Sequence, residues 1–204
     1  KFEMELAGSV KVDCLETAIP AEAAGQPDEF VTKLLRGARA SGLGQREIFL
    51  EVPAAGNDSG ILGAIAAAVP AHTSAADGFA RISAKLRCGG VTADAFPSCE
   101  RVAAVIHRCA ALDLPLKCTA GLHHPVRHRA VEPDVMMHGF LNVFGAGLLA
   151  WSLNADLELL TACVAETDPA AFTFNEEFFA WRDHKVGVEA MRQIRSRSLS
   201  GFGS

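Results

Sequence analysis

Apolar residues cluster along this chain in short runs at a nearly constant interval. Residues 10–16, 47–52, 82–87 and 114–119 each read as a strand buried on both sides. Charged residues near their C-terminal ends keep the count: 35 residues from Glu16 to Glu51, 34 on to Lys85 and 32 on to Lys117. The stretches between them are helical in pattern. Pro27, Asp28 and Glu29 open the first, with acids at the positive end of the helix dipole. Phe30, Val31, Leu34, Leu35 and Ala38 follow helical spacing, and Gly42 stops the run. A second, Ala-rich helix is predicted over 59–69, ended by Pro70. A third is predicted over 98–112, with Val102, Val105, Ile106 and Cys109 on one face. Strands alternating with helices at this interval predict βαβ units and a parallel sheet.

Alternation along a strand then sorts the side chains. Ser83, Lys85 and Arg87 share one face, and Ile82, Ala84 and Leu86 the other. Phe49 likewise goes with Glu51, and Lys117 with Thr119. In a β/α barrel the outer face meets the helices, so the polar set belongs inside, near the C-terminal strand ends where such barrels keep their chemistry. The predicted fold is therefore α/β, TIM-barrel-like. A full barrel of about 250 residues has eight units, and four are clear here, with residues 2–6 offering one more strand. The chain opens on Lys1, not Met. The expectation is the C-terminal half of a barrel; a barrel completed by a partner subunit and an open sheet are the alternatives.

Residues 1–133 form the β/α repeat region and 134–204 a helical region packed on the same domain. In the latter, helices are predicted over 136–153, 155–166 and 176–195, and a mobile, Gly-rich tail over 195–204. Trp151, Trp181 and the 172–179 aromatic cluster read as packing.

Composition narrows the classes. Half of the 204 residues are hydrophobic, enough for a sizeable core. A net charge of −5 without a basic stripe argues against nucleic acid as a partner. The longest apolar stretches, 61–70 and 140–153, are shorter than the ~20 residues that span a bilayer, so no membrane partner is expected. The chain start does not read as a signal peptide. Six cysteines without a CxxC pair suggest free thiols and a reducing, cytoplasmic setting. A homo-oligomer is a further expectation.

Candidate chemistry follows from the inward set. Lys85, Arg87 and Lys117 form a cationic cluster, and Glu16 and Glu51 stand ready to move protons or to neutralise it. A lysine near pKa 10.4 becomes a nucleophile when burial and a neighbouring cation lower it. The competing readings are buried ion pairs or non-covalent capture of an acidic substrate. Gly89 and Gly90 directly after a strand can turn backbone N–H groups toward an anion, or simply make a tight turn. His123 and His124, in the loop over 120–128, are candidates for general acid or base work. His138 and Asn142 lie four apart on one helix face and either lid the site or serve the core. Neighbouring lysines repel cations, so no metal is expected. Neither a P-loop nor a GxGxxG fingerprint is present, and no cofactor is expected.

Phe49-Leu50-Glu51, the Lys85–Gly90 run and Lys117-Cys118-Thr119-Ala120-Gly121 resemble the strand motifs of class I aldolases of the deoxyribose-phosphate type. That resemblance implies a glutamate strand followed by two lysine strands, one lysine forming the Schiff base and the other tuning it. The order departs from the family, because here the Gly-Gly motif precedes the Lys-x-Thr-x-Gly one. The same run, residues 117–125 and His138-Gly139-Phe140-Leu141-Asn142 are similar to a group of uncharacterised bacterial proteins of β/α-barrel type, which implies no activity.

The expected function is a lyase or aldolase acting on a small phosphorylated or carboxylated carbonyl compound. Lys85 or Lys117 would supply the amine, and Glu51, Glu16 or His123 the proton transfers. Arg87, Gly89, Gly90, Thr119, His124, His138 and Asn142 would bind the substrate. The alternatives are a non-covalent isomerase or epimerase and a non-enzymatic partial barrel that assembles with another chain.

Overall fold

A computed structural model of the chain describes residues 9, 11–54, 57–74, 76, 78–132 and 134–203. The strand proposed over residues 2–6 lies outside the described residues. The four repeating strands form as β1 (Cys14–Ala18), β2 (Glu47–Glu51), β3 (Arg81–Arg87) and β4 (Leu116–Thr119). They lie side by side in chain order and all run parallel. A fifth strand, Leu199–Gly203, adds to β4 in the same direction. The fold is thus α/β around a parallel sheet. Among the described residues β1 and Leu199–Gly203 are its two edges, and the sheet does not close into a barrel.

Three helices fill the connections: α1 (Pro27–Ala40), α2 (Asp58–Thr73) and α3 (Cys99–Ala111). Helix α1 opens on Pro27, which has no N–H to satisfy, and α2 and α3 open on side chains that cap their first turns. Asn57 Oδ1 accepts from the Gly60 N–H at 2.9 Å, and Ser98 Oγ from the Arg101 N–H at 3.2 Å. Because right-handed crossovers advance the sheet in one direction, the helices stack on one face. Val31 and Leu35 of α1, Ile61 and Ile65 of α2, and Val102 and Ile106 of α3 pack there with Ile48, Leu50, Ile82, Leu86, Leu116 and Cys118 of the strands. The alternate residues of β2 to β4 face the other way.

The rest of the chain corrects several expectations. Helix α2 does not stop at Pro70 but runs on to Thr73. Proline withdraws one backbone donor there, yet the last turn is anchored from outside the helix, as the Phe79 N–H donates to the His72 carbonyl at 2.8 Å. The predicted helix over 136–153 begins only at Phe140, as α4 (Phe140–Leu153). Before it, β6 (Met136–Met137) pairs antiparallel with β5 (His128–Arg129). After α5 (Leu157–Ala165), the helix predicted over 176–195 is replaced in its first half by a β-meander. Its strands are β7 (Phe172–Phe174), β8 (Phe178–Trp181) and β9 (His184–Gly187). The aromatic run favours a pleated surface, where Phe179 pairs with Val186 and Trp181 with His184. Arg182 makes the turn at a φ of 51°, a conformation an arginine does not advertise in sequence.

Helix α6 (Val188–Arg197) follows, and the tail predicted to be mobile becomes the fifth sheet strand, β10 (Leu199–Gly203). Its register shifts between Leu199 and Gly201. Leu199 is buried, and a Cβ placed on Gly147 of α4 would lie 2.6 Å from its side chain. The two regions divided at residue 133 therefore share one sheet.

No helix among the described residues is long and apolar enough to cross a membrane. All six cysteines are free thiols.

Candidate active site

The site grows out of strand register. Ala18, Glu51, Lys85 and Lys117 are successive partners across β1 to β4, and Gly201 continues the row on β10. Glu16 stands two residues before Ala18, and Arg87 two residues after Lys85, so both share the face of the row. The result is a continuous chain of ionic hydrogen bonds. Lys117 Nζ donates to Glu16 Oε1 at 2.6 Å, and Lys85 Nζ to Glu16 Oε2 at 2.6 Å. Lys85 Nζ also lies 2.8 Å from Glu51 Oε2, and Arg87 Nε donates to Glu51 Oε1 at 3.3 Å. The Lys117 ammonium sits 4.7 Å from the centroid of the buried Phe49 ring, a cation–π contact. All five charged residues of the inward set therefore converge.

Burial is deepest at the centre of this chain. Lys85 is only 7% exposed, whereas the Arg87 side chain is 51% exposed. For Lys85, burial is the largest single influence and pulls its pKa down, but hydrogen bonds and charge from Glu16 and Glu51 outweigh it and leave the pKa raised. This reverses the expectation of a lysine lowered toward nucleophilicity: two carboxylates hold it as an ammonium. Glu16 is lowered, chiefly by its hydrogen bonds from Lys117 and Lys85. Burial pushes Glu51 up, but Lys85 and Arg87 together bring it below the usual glutamate value.

These directions set a pH window. Carboxylates depressed on folding contribute stability that is present above their unfolded pKa near 4.5 and is lost as pH falls through the lower folded values. A lysine raised on folding contributes stability that is complete below about 10.5 and is lost as pH rises through its folded value. Urea midpoints measured from pH 2 to 11 are expected to fall at both ends. Glu16→Gln and Glu51→Gln each flatten the acid limb, and an unchanged limb in both variants would show that the chain of bonds contributes nothing.

Beside this row, at the C-terminal ends of β2 and β3, is a hollow of about 310 Å³ lined by Glu51, Arg87, Asp94, Phe96, Ser98 and Arg101. Open parallel sheets bind ligands at this end of their strands. Arg101 is already held there by both oxygens of Asp58, at 2.9 and 3.1 Å, and by the Pro53 carbonyl at 2.6 Å. Arg87, joined to Glu51 by a single long bond and half in solvent, is the cation left to receive an anionic group. Asp94, Phe96, Ser98 and Arg101 were not singled out in the sequence. The signal for the last two was Ser98 as a helix cap three residues before an arginine, just beyond the Gly-Gly loop.

The glycine pair has a packing role. A Cβ on Gly89 would stand 2.6 Å from the Phe96 ring and 3.0 Å from Gly121 Cα, and one on Gly90 would stand 2.6 Å from Ala95 Cβ. Gly89 lets the loops after β3 and β4 close on each other, and Gly90 lets the loop after β3 fold back on Ala95. Thr119, beside Arg87 in register, has a buried Oγ1 with no partner in the described structure, as does Ser83 Oγ on the same sheet face.

The histidines and Asn142 stand apart from the charged row. His123 and His124 are exposed and form no hydrogen bond with it among the described residues; with His128 and Gly90 they line a separate hollow of about 830 Å³. His138 is wholly buried, its Nε2 2.7 Å from the Pro97 carbonyl, and burial lowers its pKa. Asn142 is also wholly buried. Its Oδ1 accepts from the Arg127 N–H at 2.8 Å, and its Nδ2 donates to the carbonyls of Cys163 and Glu166 at 2.9 and 2.8 Å. These bonds tie α4 to the end of α5 and to the loop after β4, so the structure gives His138 and Asn142 a core role rather than a lid over the site. Among the described residues no three His, Cys, Asp or Glu side chains gather as a metal-binding group.

Comparison with protein-family models, with curated proteins and with solved structures gives no match to this chain.

Proposed function

We propose that the chain is an α/β enzyme built on an open parallel sheet, a lyase acting on a small carbonyl compound that carries a phosphate or carboxylate. The observation behind this reading is the unbroken run Lys117–Glu16–Lys85–Glu51–Arg87 at the C-terminal half of a parallel sheet, next to a hollow with a half-exposed arginine. Three cations against two carboxylates leave the row itself net positive, while Asp94 on the hollow's wall offsets that excess, so the half-exposed Arg87 is what suits the site to an anionic substrate.

The roles divide by environment. Arg87 takes the substrate's anionic group. Lys85, fixed between two carboxylates, stays protonated and orients both. Lys117, the less buried of the two lysines, is the amine: its free-base nitrogen adds to the substrate carbonyl, whose oxygen leaves as water when the imine forms. Glu51 moves the proton at the substrate carbon. Borohydride reduction in the presence of a panel of small phosphorylated and carboxylated aldehydes and ketones is expected to leave a mass adduct that maps to Lys117, absent in Lys117→Met. No adduct on Lys117 or Lys85 with any member would remove the covalent mechanism.

The raised pKa of Lys85 favours a second reading in which no lysine is covalent. The cations would then hold an enolate while Glu51 acts as base, giving an isomerase or epimerase. Solvent deuterium entering a panel compound without any trapped adduct is the expected sign of this chemistry.

A further inference from the structure

Away from the charged row, a cavity of about 380 Å³ opens where α4, α6, the β7–β8 arm and β10 meet. Its walls are apolar, with Phe144, Phe179 and Met191 among them, and no acidic side chain lines it among the described residues. At the rim Phe174 is 54% exposed, an unusual position for a large aromatic side chain with an apolar hollow behind it. A Cβ built on Gly201, which lines one side, would meet nothing within 4 Å, so the space there is open.

One cation joins this lining. Arg195, exposed on α6, has no hydrogen bond or ion pair with any described residue. Arg182 pairs with Glu166 at 2.8 Å and Arg192 with Glu189 at 3.8 Å, while Arg197, exposed on the same helix, is not among the described residues that line the cavity. An apolar cavity with a single unengaged guanidinium at its mouth calls for a ligand with a hydrocarbon body and one anionic end. An apolar cavity of about 150 Å³ holds benzene, so this one has room for about ten carbons, and its volume falls in the usual range of small-molecule sites.

We propose that this cavity binds a medium-sized apolar carboxylic acid, its hydrocarbon part against Phe144, Phe179 and Met191 and its carboxylate on Arg195. Charge complementarity selects the acid: guanidinium and carboxylate pair in bidentate fashion. The site is separate from the reaction proposed above and stands or falls independently of it.

Calorimetric titration of the full chain with decanoate and with decanol, both below their aggregation limits, tests this. Saturable binding of one decanoate per chain is expected, at least tenfold tighter than decanol. Arg195→Gln is expected to erase that preference while leaving decanol binding unchanged. Met191→Trp, which fills the cavity, is expected to abolish both while keeping the wild-type thermal melt; should this variant fail to fold, the Arg195→Gln comparison decides. Absence of saturable decanoate binding overturns the proposal, as does a preference for the acid that survives Arg195→Gln. A concentration-dependent dimer that decanoate cannot enter and that Met191→Trp dissociates would assign the cavity to a second copy of the chain, and also overturns it.

Discussion

Lys85→Met is expected to destabilise the protein by about 3 kcal/mol at pH 7, the lower end of the cost of removing one partner from a buried ion pair. Lys85 is the centre of the chain, hydrogen bonded to Glu16 at 2.6 Å and 2.8 Å from Glu51. Without it two carboxylates face each other across a row with Lys117 and Arg87 only at the ends. The cost stays below the full buried value because the Glu16 side chain keeps 34% exposure and can turn to water. Two controls separate this electrostatic account from a simple packing defect. The loss should shrink as pH falls toward 4, where the unpaired carboxylates protonate. It should also shrink in the triple variant Glu16→Gln, Glu51→Gln, Lys85→Met, since groups in one network are not additive. Urea unfolding across pH measures both, and a loss independent of pH and of the glutamates would refute the account.

Asn142→Leu is expected to cost a similar amount, about 3 kcal/mol, for a different reason. The replacement has nearly the same size but leaves the half-buried Arg127 N–H and the buried Glu166 carbonyl without partners, and the Cys163 carbonyl with only a long 3.4 Å bond from the Glu166 N–H. Each such group costs about 1–3 kcal/mol, lessened where the backbone relaxes. Because these bonds gather the loop after β4, α4 and the end of α5, the variant should also raise hydrogen exchange at Arg127. Chemical unfolding with exchange at single residues checks both effects. A loss below about 1 kcal/mol would mean that the neighbouring helices, not this side chain, hold the junction.

Three of the four repeat strands were legible because their signals are local, whereas β1, predicted over 10–16, forms over Cys14–Ala18. β2, β3 and β4 each begin and end within two residues of their predicted limits, since apolar runs bounded by loops leave little choice. Strand alternation also gave the face of Glu51, Lys85, Arg87 and Lys117, because period two is fixed by the backbone. Three other features depend on distant partners and were not legible. Residues 199–203 become a strand only because β4 offers a free edge, and nothing in Leu-Ser-Gly-Phe-Gly announces that. Residues 176–187 carry an acidic start like that of a helix, but cross-strand aromatic pairing and the turn at Arg182 override it. Asn142 sits at helical spacing from His138 in an apolar stretch, which allowed either a site or a core role; burial and three backbone bonds settle its role in the core. The Gly89–Gly90 pair marked a special backbone position, and its cause proved to be the close approach of Gly121 and Phe96.

The claim on which the functional account rests is that Lys85 and Lys117 answer together to one small anionic carbonyl compound. Lysine-selective NMR of the side-chain nitrogens, recorded while a panel of such compounds is titrated in, tests it most directly. At least one compound should shift the Lys85 and Lys117 signals in parallel at a single affinity, with the response weakened in Arg87→Gln. If no compound moves that pair, or if shifts appear only at exposed lysines such as Lys11, the ionic row is a structural strut and the proposed function is wrong.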